Sequence, residues 1–193
     1  MKRETIYRIR KTYLVSSILI GLCSPVICLI LFPDFDPRIH PVSYFGILKN
    51  TSTLFMILLI MLSISLLFNG ERAIHRLIKN KTYQIWLKTI LIISSTFLLF
   101  TALITMNISP VHQIVALLFF LSYNFFIFLF GLGRSTSYVR KGMFSVITGS
   151  LMLLSSLLLI PFPSYGVAEV IYIFLVFFWN IVIFIKSEKI NRN

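Results

Sequence analysis

Residues 51–81 read TSTLFMILLIMLSISLLFNGERAIHRLIKNK. From Thr51 to Asn69 there is no charge, and from Arg72 onward the chain turns basic at Arg72, Arg76, Lys79 and Lys81. The hydrocarbon core of a bilayer takes about 20 mostly apolar residues as a helix, and basic residues collect on the cytoplasmic flank of such helices. The stretch therefore predicts a membrane-spanning helix entering a cytoplasmic loop.

The same alternation runs through the chain. Six apolar runs are long enough to span: Tyr13–Phe32, Thr51–Asn69, Tyr83–Ile104, Val111–Leu132, Met143–Ile160 and Val167–Ile185. Each is apolar all round, unlike an amphipathic surface helix. Helix breakers fall between them at Pro33, Pro37 and Pro41, at Gly70, at Pro110, at Gly131 and Gly133, and at Pro161 and Pro163. The first run follows a basic start, as a signal peptide would. It is too long for one, however, and ends at Phe32-Pro33-Asp34 instead of small residues, so it is expected to be retained.

Composition agrees. Apolar residues make up 58% of the chain and charged residues 12%, with a mean hydropathy of +0.92. Soluble domains carry about 25% charged residues, so a water-soluble globule and a disordered chain are both excluded. The net charge of +12 would point to nucleic acid in a soluble protein. Here the basic residues sit in short clusters between apolar runs, where they set orientation and face anionic lipid, so no nucleic-acid partner is expected. Cys23 and Cys28 lie on different faces of one helical run and form no disulfide framework or CxxC motif.

Sorting the basic residues by loop gives 16 on one side and 2, Arg38 and Lys49, on the other. The fold expected is thus an all-α integral membrane protein. It is a single six-helix transmembrane domain over residues 1–193 in the cell membrane, with both termini cytoplasmic.

The outer face then collects the unusual polar residues. The first outer loop, PDFDPRIHPVSYFGILKN, holds Asp36, His40 and Ser43; His112 opens the fourth run and Glu169 the sixth. Glu169 begins a stripe through Tyr172, Val176 and Asn180, and His112 one through Ala116, Phe119 and Tyr123, so both stripes should face the bundle interior. An ionisable residue at this depth needs a partner. One hydrogen-bonded cluster is expected, with Glu169 as acceptor and His112, Ser43, His40, Arg38 or free helix-start amides as donors. The loop is rich in Phe35, Ile39, Val42, Tyr44 and Phe45. Three prolines and Gly46 keep it from forming a regular helix, so it should fold down as a lid. Within the membrane, Asn124 and Asn180 are the strongest polar residues and should hydrogen-bond between helices.

No HxxxH, HExxH or CxxC spacing points to a metal, and the residues ask for no cofactor. Ser43, a histidine and Asp36 have the residue types of a nucleophilic arrangement, without a nucleophile-elbow motif. The reading that fits best is a non-catalytic membrane protein that binds or organises lipid, or assists another membrane protein, through an outer-face polar pocket. A small enzyme acting on a lipid headgroup through His112 and Glu169 is the alternative, and a small-solute transporter the second.

Pro41 with Ser43 and Gly46 before the second span, His112 with Ala116 and Phe119-Phe120, and Glu169 with Trp179 further along resemble the prokaryotic six-helix family called domain of unknown function 998. They are more distantly similar to the eukaryotic damage-regulated autophagy modulator family. Where eukaryotic members often have an acid after the serine and a tryptophan after the glutamate, this chain has Tyr44 and Val170. The resemblance implies six spans with cytoplasmic ends and no defined activity.

Overall fold

The structure is a computed structural model; it describes residues 9, 11–13, 15, 16, 19, 26–135, 139–155 and 166–189. Among these, every regular element is helical. A short 3-10 helix, η1, covers Val42–Gly46. Five α-helices follow: α1 Ser52–Leu77, α2 Lys81–Leu103, α3 Val111–Ser135, α4 Val139–Ser155 and α5 Gly166–Lys189. Residues 26–31, in the first apolar run, are also helical. Four helices, α1, α2, α3 and α5, are long and apolar enough to cross a membrane. The fifth run appears as the 17-residue α4. Its expected end at Ile160, together with Pro161, Pro163 and Cys23, lies outside the described residues.

Two expected breaks are not breaks. The helix α1 continues through Gly70 to Leu77, and α3 through Gly131 and Gly133 to Ser135. These glycines are contact points. A Cβ at Gly70 would run into the Leu91 side chain, at Gly133 into the Tyr83 ring, and at Gly131 into the backbone of Val146. A helical glycine costs about 1 kcal/mol in propensity, but small residues let membrane helices approach closely enough to pack. Conversely, α2 starts two residues earlier than expected because the Asn80 side chain caps it, accepting the Tyr83 amide at 3.0 Å.

Neighbouring helices run antiparallel. Gly70 meets Leu91 while Ser63 donates to the Ser95 carbonyl; Gly131 meets Gly142 and Val146, while Gly149 meets Phe128. The helix α5 runs parallel to α1, joined at Asn69–Asn180 and again at Arg76, which donates to the Ser187 carbonyl. One end of the bundle therefore gathers Arg72, Arg76, Lys81 and Arg134, and the other gathers η1, His112 and Glu169. At the basic end, Glu188 pairs with Arg72 and Arg76 between α1 and α5.

The core is aromatic, with Trp179 at its centre. Its ring is fully buried, the rings of Tyr123, Phe126 and Phe130 lie edge-on to it, and its indole N–H donates to Ser145 Oγ at 3.0 Å. Beside it runs a polar relay: Asn69 Nδ2 donates to Asn180 Oδ1, and Asn180 Nδ2 donates to the Tyr123 hydroxyl, both at 2.8 Å. Asn180 thus bridges helices as expected. Asn124 does not: it is buried, and its Oδ1 has no hydrogen-bond partner among the described residues. The bridging role belongs to Asn69, hidden at the end of an apolar run where its polarity reads as a flank.

Replacing Gly131 by Ala should destabilise the protein by about 1–3 kcal/mol, because backbone atoms of α4 cannot yield to the methyl group. Trimming the outward Ile114 to Ala should change stability little. Thermal unfolding in detergent, followed by helical circular dichroism, checks both. Asn180→Leu should cost about 1 kcal/mol in the same assay, since it strands Asn69 and Tyr123.

Candidate functional site

Proline cannot donate a backbone hydrogen bond, and Pro41, at the start of η1, offers no side-chain cap either. The first amides of η1 are therefore orphaned locally. Glu169, in the first turn of α5 and 127 residues away, supplies the missing acceptor. Its Oε2 lies 2.5 Å from the Val42 amide nitrogen, and the Ser43 amide donates to the same carboxylate. A side chain of one helix thus caps the helix of the lid.

The rest of the lid follows from that anchor. At the far end of η1, the Thr51 hydroxyl donates to the Phe45 carbonyl at 2.6 Å. Between the two ties, the Phe45 ring is buried and stacks on Phe35 at 4.5 Å, packing with Cys28, Phe55 and Leu58. Phe35, Val42 and Tyr44 are partly buried. Ile39 is the exception to the expected apolar lining: it is 65% exposed, on a turn whose amides at Ile39 and His40 both donate to the Asp36 carbonyl. Gly166 completes the closure. A Cβ there would collide with the Pro37 and His40 carbonyls, so only glycine lets α5 begin against the lid.

The sequence-predicted site residues divide as follows. Glu169 is the acceptor, as expected, and its donors are helix-start amides. Neither the His112 ring nor the Ser43 hydroxyl donates to it among the described residues. Ser43 Oγ instead donates to Met106 Sδ at 3.7 Å. His112 is buried at the start of α3, with Nδ1 2.5 Å from the Ile104 carbonyl oxygen. A carbonyl only accepts, so Nδ1 carries the proton, and Nε2 is left buried without a partner among the described residues. His40 is packed among the rings of Phe32, Phe35 and Tyr44, 4.8 Å from the last. Asp36 stays apart on the lid surface, paired with Arg38 at 2.8 Å. Hydrogen bonds from the Arg38 side chain hold the Asp36 carboxyl below the usual carboxylate range. Asp36 therefore joins no Ser–His arrangement.

What Ser43, His112 and Glu169 share is a cavity of about 90 Å³ beneath the lid. Apart from these three and Thr101 its walls are apolar, with Phe45, Leu58, Leu98 and Phe177 among them. Both predicted stripes face inward: Phe119 and Tyr123 below His112, and Tyr172, Val176 and Asn180 below Glu169, are all buried. No group of three His, Cys, Asp or Glu side chains that could hold a metal occurs among the described residues. Sequence reasoning missed Gly166, Thr51, Thr101 and Met106. Only Gly166, just ahead of Glu169, carried a local signal.

The lid amides provide a direct check. In hydrogen–deuterium exchange, the amides of Val42 and Ser43 should be protected. Glu169→Gln, which keeps one carbonyl acceptor, should weaken that protection by roughly tenfold, and Glu169→Leu should abolish it, since a charge-assisted hydrogen bond is worth about 1.5–3 kcal/mol. Exchange within α2 should stay unchanged.

No curated protein and no solved structure matches this chain, so the likeness to the autophagy modulator family gains no support from them. A family match does cover residues 15–186, which takes in the lid, His112 and Glu169 alike. The chain belongs to the protein family of unknown function DUF998.

Proposed function

We propose that the protein is a non-catalytic multi-pass protein of the cell membrane that holds a lipid chain under its lid, on the outer face. The observation that carries this reading is the cavity beneath the lid, apolar but for one end. An alkyl chain gains about 0.8 kcal/mol for each methylene buried against such walls, whereas water needs two to four polar partners. Glu169 and Phe120 also border a second cavity of about 140 Å³ between α3, α4 and α5. A chain longer than the first cavity continues by that route toward the bilayer. A lipid held this way is available to a neighbouring membrane protein, the partner class this reading implies.

Six spans with both termini in the cytoplasm belong to the same proposal. The 16-to-2 division of basic residues supports it. So does the first apolar run, where Tyr13 lies against Met61 and Phe68 while Cys28 lies under the lid, which is antiparallel to α1.

The second reading, an enzyme acting on a lipid headgroup, is favoured by Ser43, His112 and Glu169 lining one cavity. The hydrogen bonds weigh against it. The Ser43 proton points to Met106 sulfur, and the Glu169 carboxylate is occupied by lid amides. Neither a primed nucleophile nor a carboxylate-oriented histidine results.

Two experiments test this. In bilayers containing a phospholipid with a diazirine in its acyl chain, cross-links should map to the cavity wall, and filling the cavity with Ala116→Trp should remove most of them. Cross-links confined to outward residues such as Phe174, unchanged by the filling, would overturn the lipid reading. For topology, a single cysteine at Ile39 should react with a membrane-impermeant thiol reagent on intact cells, and one at Lys79 should not. The reverse pattern would refute the orientation.

A further inference from the structure

The polar end of the lid cavity has a one-sided hydrogen-bond inventory. Every side-chain N–H and O–H hydrogen on its walls is engaged. His112 Nδ1–H is given to the Ile104 carbonyl, the Thr101 hydroxyl to the Phe97 carbonyl at 2.9 Å, and the Ser43 hydroxyl to Met106 sulfur. The Val42 and Ser43 amides are given to Glu169. What remains are acceptors: the Glu169 carboxylate, the hydroxyl lone pairs of Ser43 and Thr101, and above all His112 Nε2. That nitrogen belongs to a side chain 4% exposed, is itself buried, and has no partner among the described residues. In the neutral ring it is a lone-pair acceptor. An unsatisfied acceptor in such surroundings is costly, and the deficit is removed by a donor from outside the chain.

We infer that the occupant of this cavity is a neutral lipid carrying a free hydroxyl, of the diacylglycerol class, whose O–H donates to Nε2 of His112. The inference rests on the lipid reading above and adds the chemistry of the headgroup. A phosphate-bearing lipid fits poorly. Its oxygens need donors that the walls have already committed, and they would face the Glu169 carboxylate away from water. An aminophospholipid brings the same phosphate with its ammonium. A lone hydroxyl needs one acceptor, and the first carbons of its acyl chains meet apolar walls here and in the second cavity lined by Phe120, Met152 and Tyr172.

The test uses the full chain in phosphatidylcholine nanodiscs with three probes bearing the same diazirine acyl chains. They are a diacylglycerol, its methyl ether, and a phosphatidic acid. The alcohol should label the cavity wall about tenfold more than the ether or the phosphatidic acid, the size of one buried hydrogen bond. His112→Phe should bring alcohol labelling down to the ether's level. If that variant fails to fold, the alcohol–ether comparison in the unaltered chain decides alone. Equal labelling by alcohol and ether, as a water-filled or purely apolar site would give, overturns the hydroxyl inference and leaves the lipid reading standing. So does labelling by phosphatidic acid that matches the alcohol. Absence of cavity labelling by all three overturns both.

Discussion

A half-buried carboxylate and a set of orphaned amides each cost free energy alone, and in this protein they satisfy each other. Among the described residues, Glu169 has no basic side chain bonded to it, and η1 has no side-chain cap of its own. Their pairing joins the start of α5 to a loop 127 residues earlier. With that end fixed, and Thr51 holding the other, Phe45 is placed as a plug over the bundle. The cavity exists because the plug is seated above helices whose upper turns do not fill the space. Gly166 contributes by absence: without a side chain there, α5 comes close enough for its carboxylate to reach.

Below the lid, the bundle meets the general constraint of a membrane interior, where apolar surface alone gives helices little reason to associate. This chain answers with close glycine contacts at α1–α2 and α3–α4, and with hydroxyls and amides that donate across helices. Tyr83 donates to the Leu129 carbonyl and Tyr172 to that of Phe120, each at 2.7 Å. The Asn69–Asn180–Tyr123 relay ties α1, α5 and α3 together. These ties hold the helices to one another, while the lid itself is held by few bonds. That division suits a cover that opens to admit a lipid while the helices stay packed.

Much of the architecture is legible in the sequence because it rests on long-range averages. A run such as Thr51–Asn69 announces a helix by composition, and the inward faces of α3 and α5 follow from a spacing of three and four below His112 and Glu169. Glu169 as acceptor is legible as well, since a lone acid at a helix start must find a donor. The identity of the donor is not. Backbone amides leave no mark in a sequence, and the presence of Ser43, His40 and Arg38 nearby draws attention to side chains. Glycines mislead for a related reason. Gly70, Gly131 and Gly133 look like helix ends when only propensity is weighed, and their role as contact points depends on Leu91, Val146 and Tyr83, which lie on other helices. Asn69, and not Asn124, meets Asn180 because the pairing is set by helix rotation, and the count of polar residues per span does not contain it.

Glu169 closes the lid over an apolar space, and the chain carries its own reporter of that closure. Cys28 is 0% exposed in the wall of the lid cavity. With Cys23→Ser as background it is the remaining thiol, and its rate of reaction with a small water-soluble thiol reagent in bilayers can be timed by mass spectrometry. Cys28 should react slowly in that background and rapidly once Glu169→Leu is added. Fast reaction in both forms, or equally slow reaction in both, would contradict a lid held shut by Glu169.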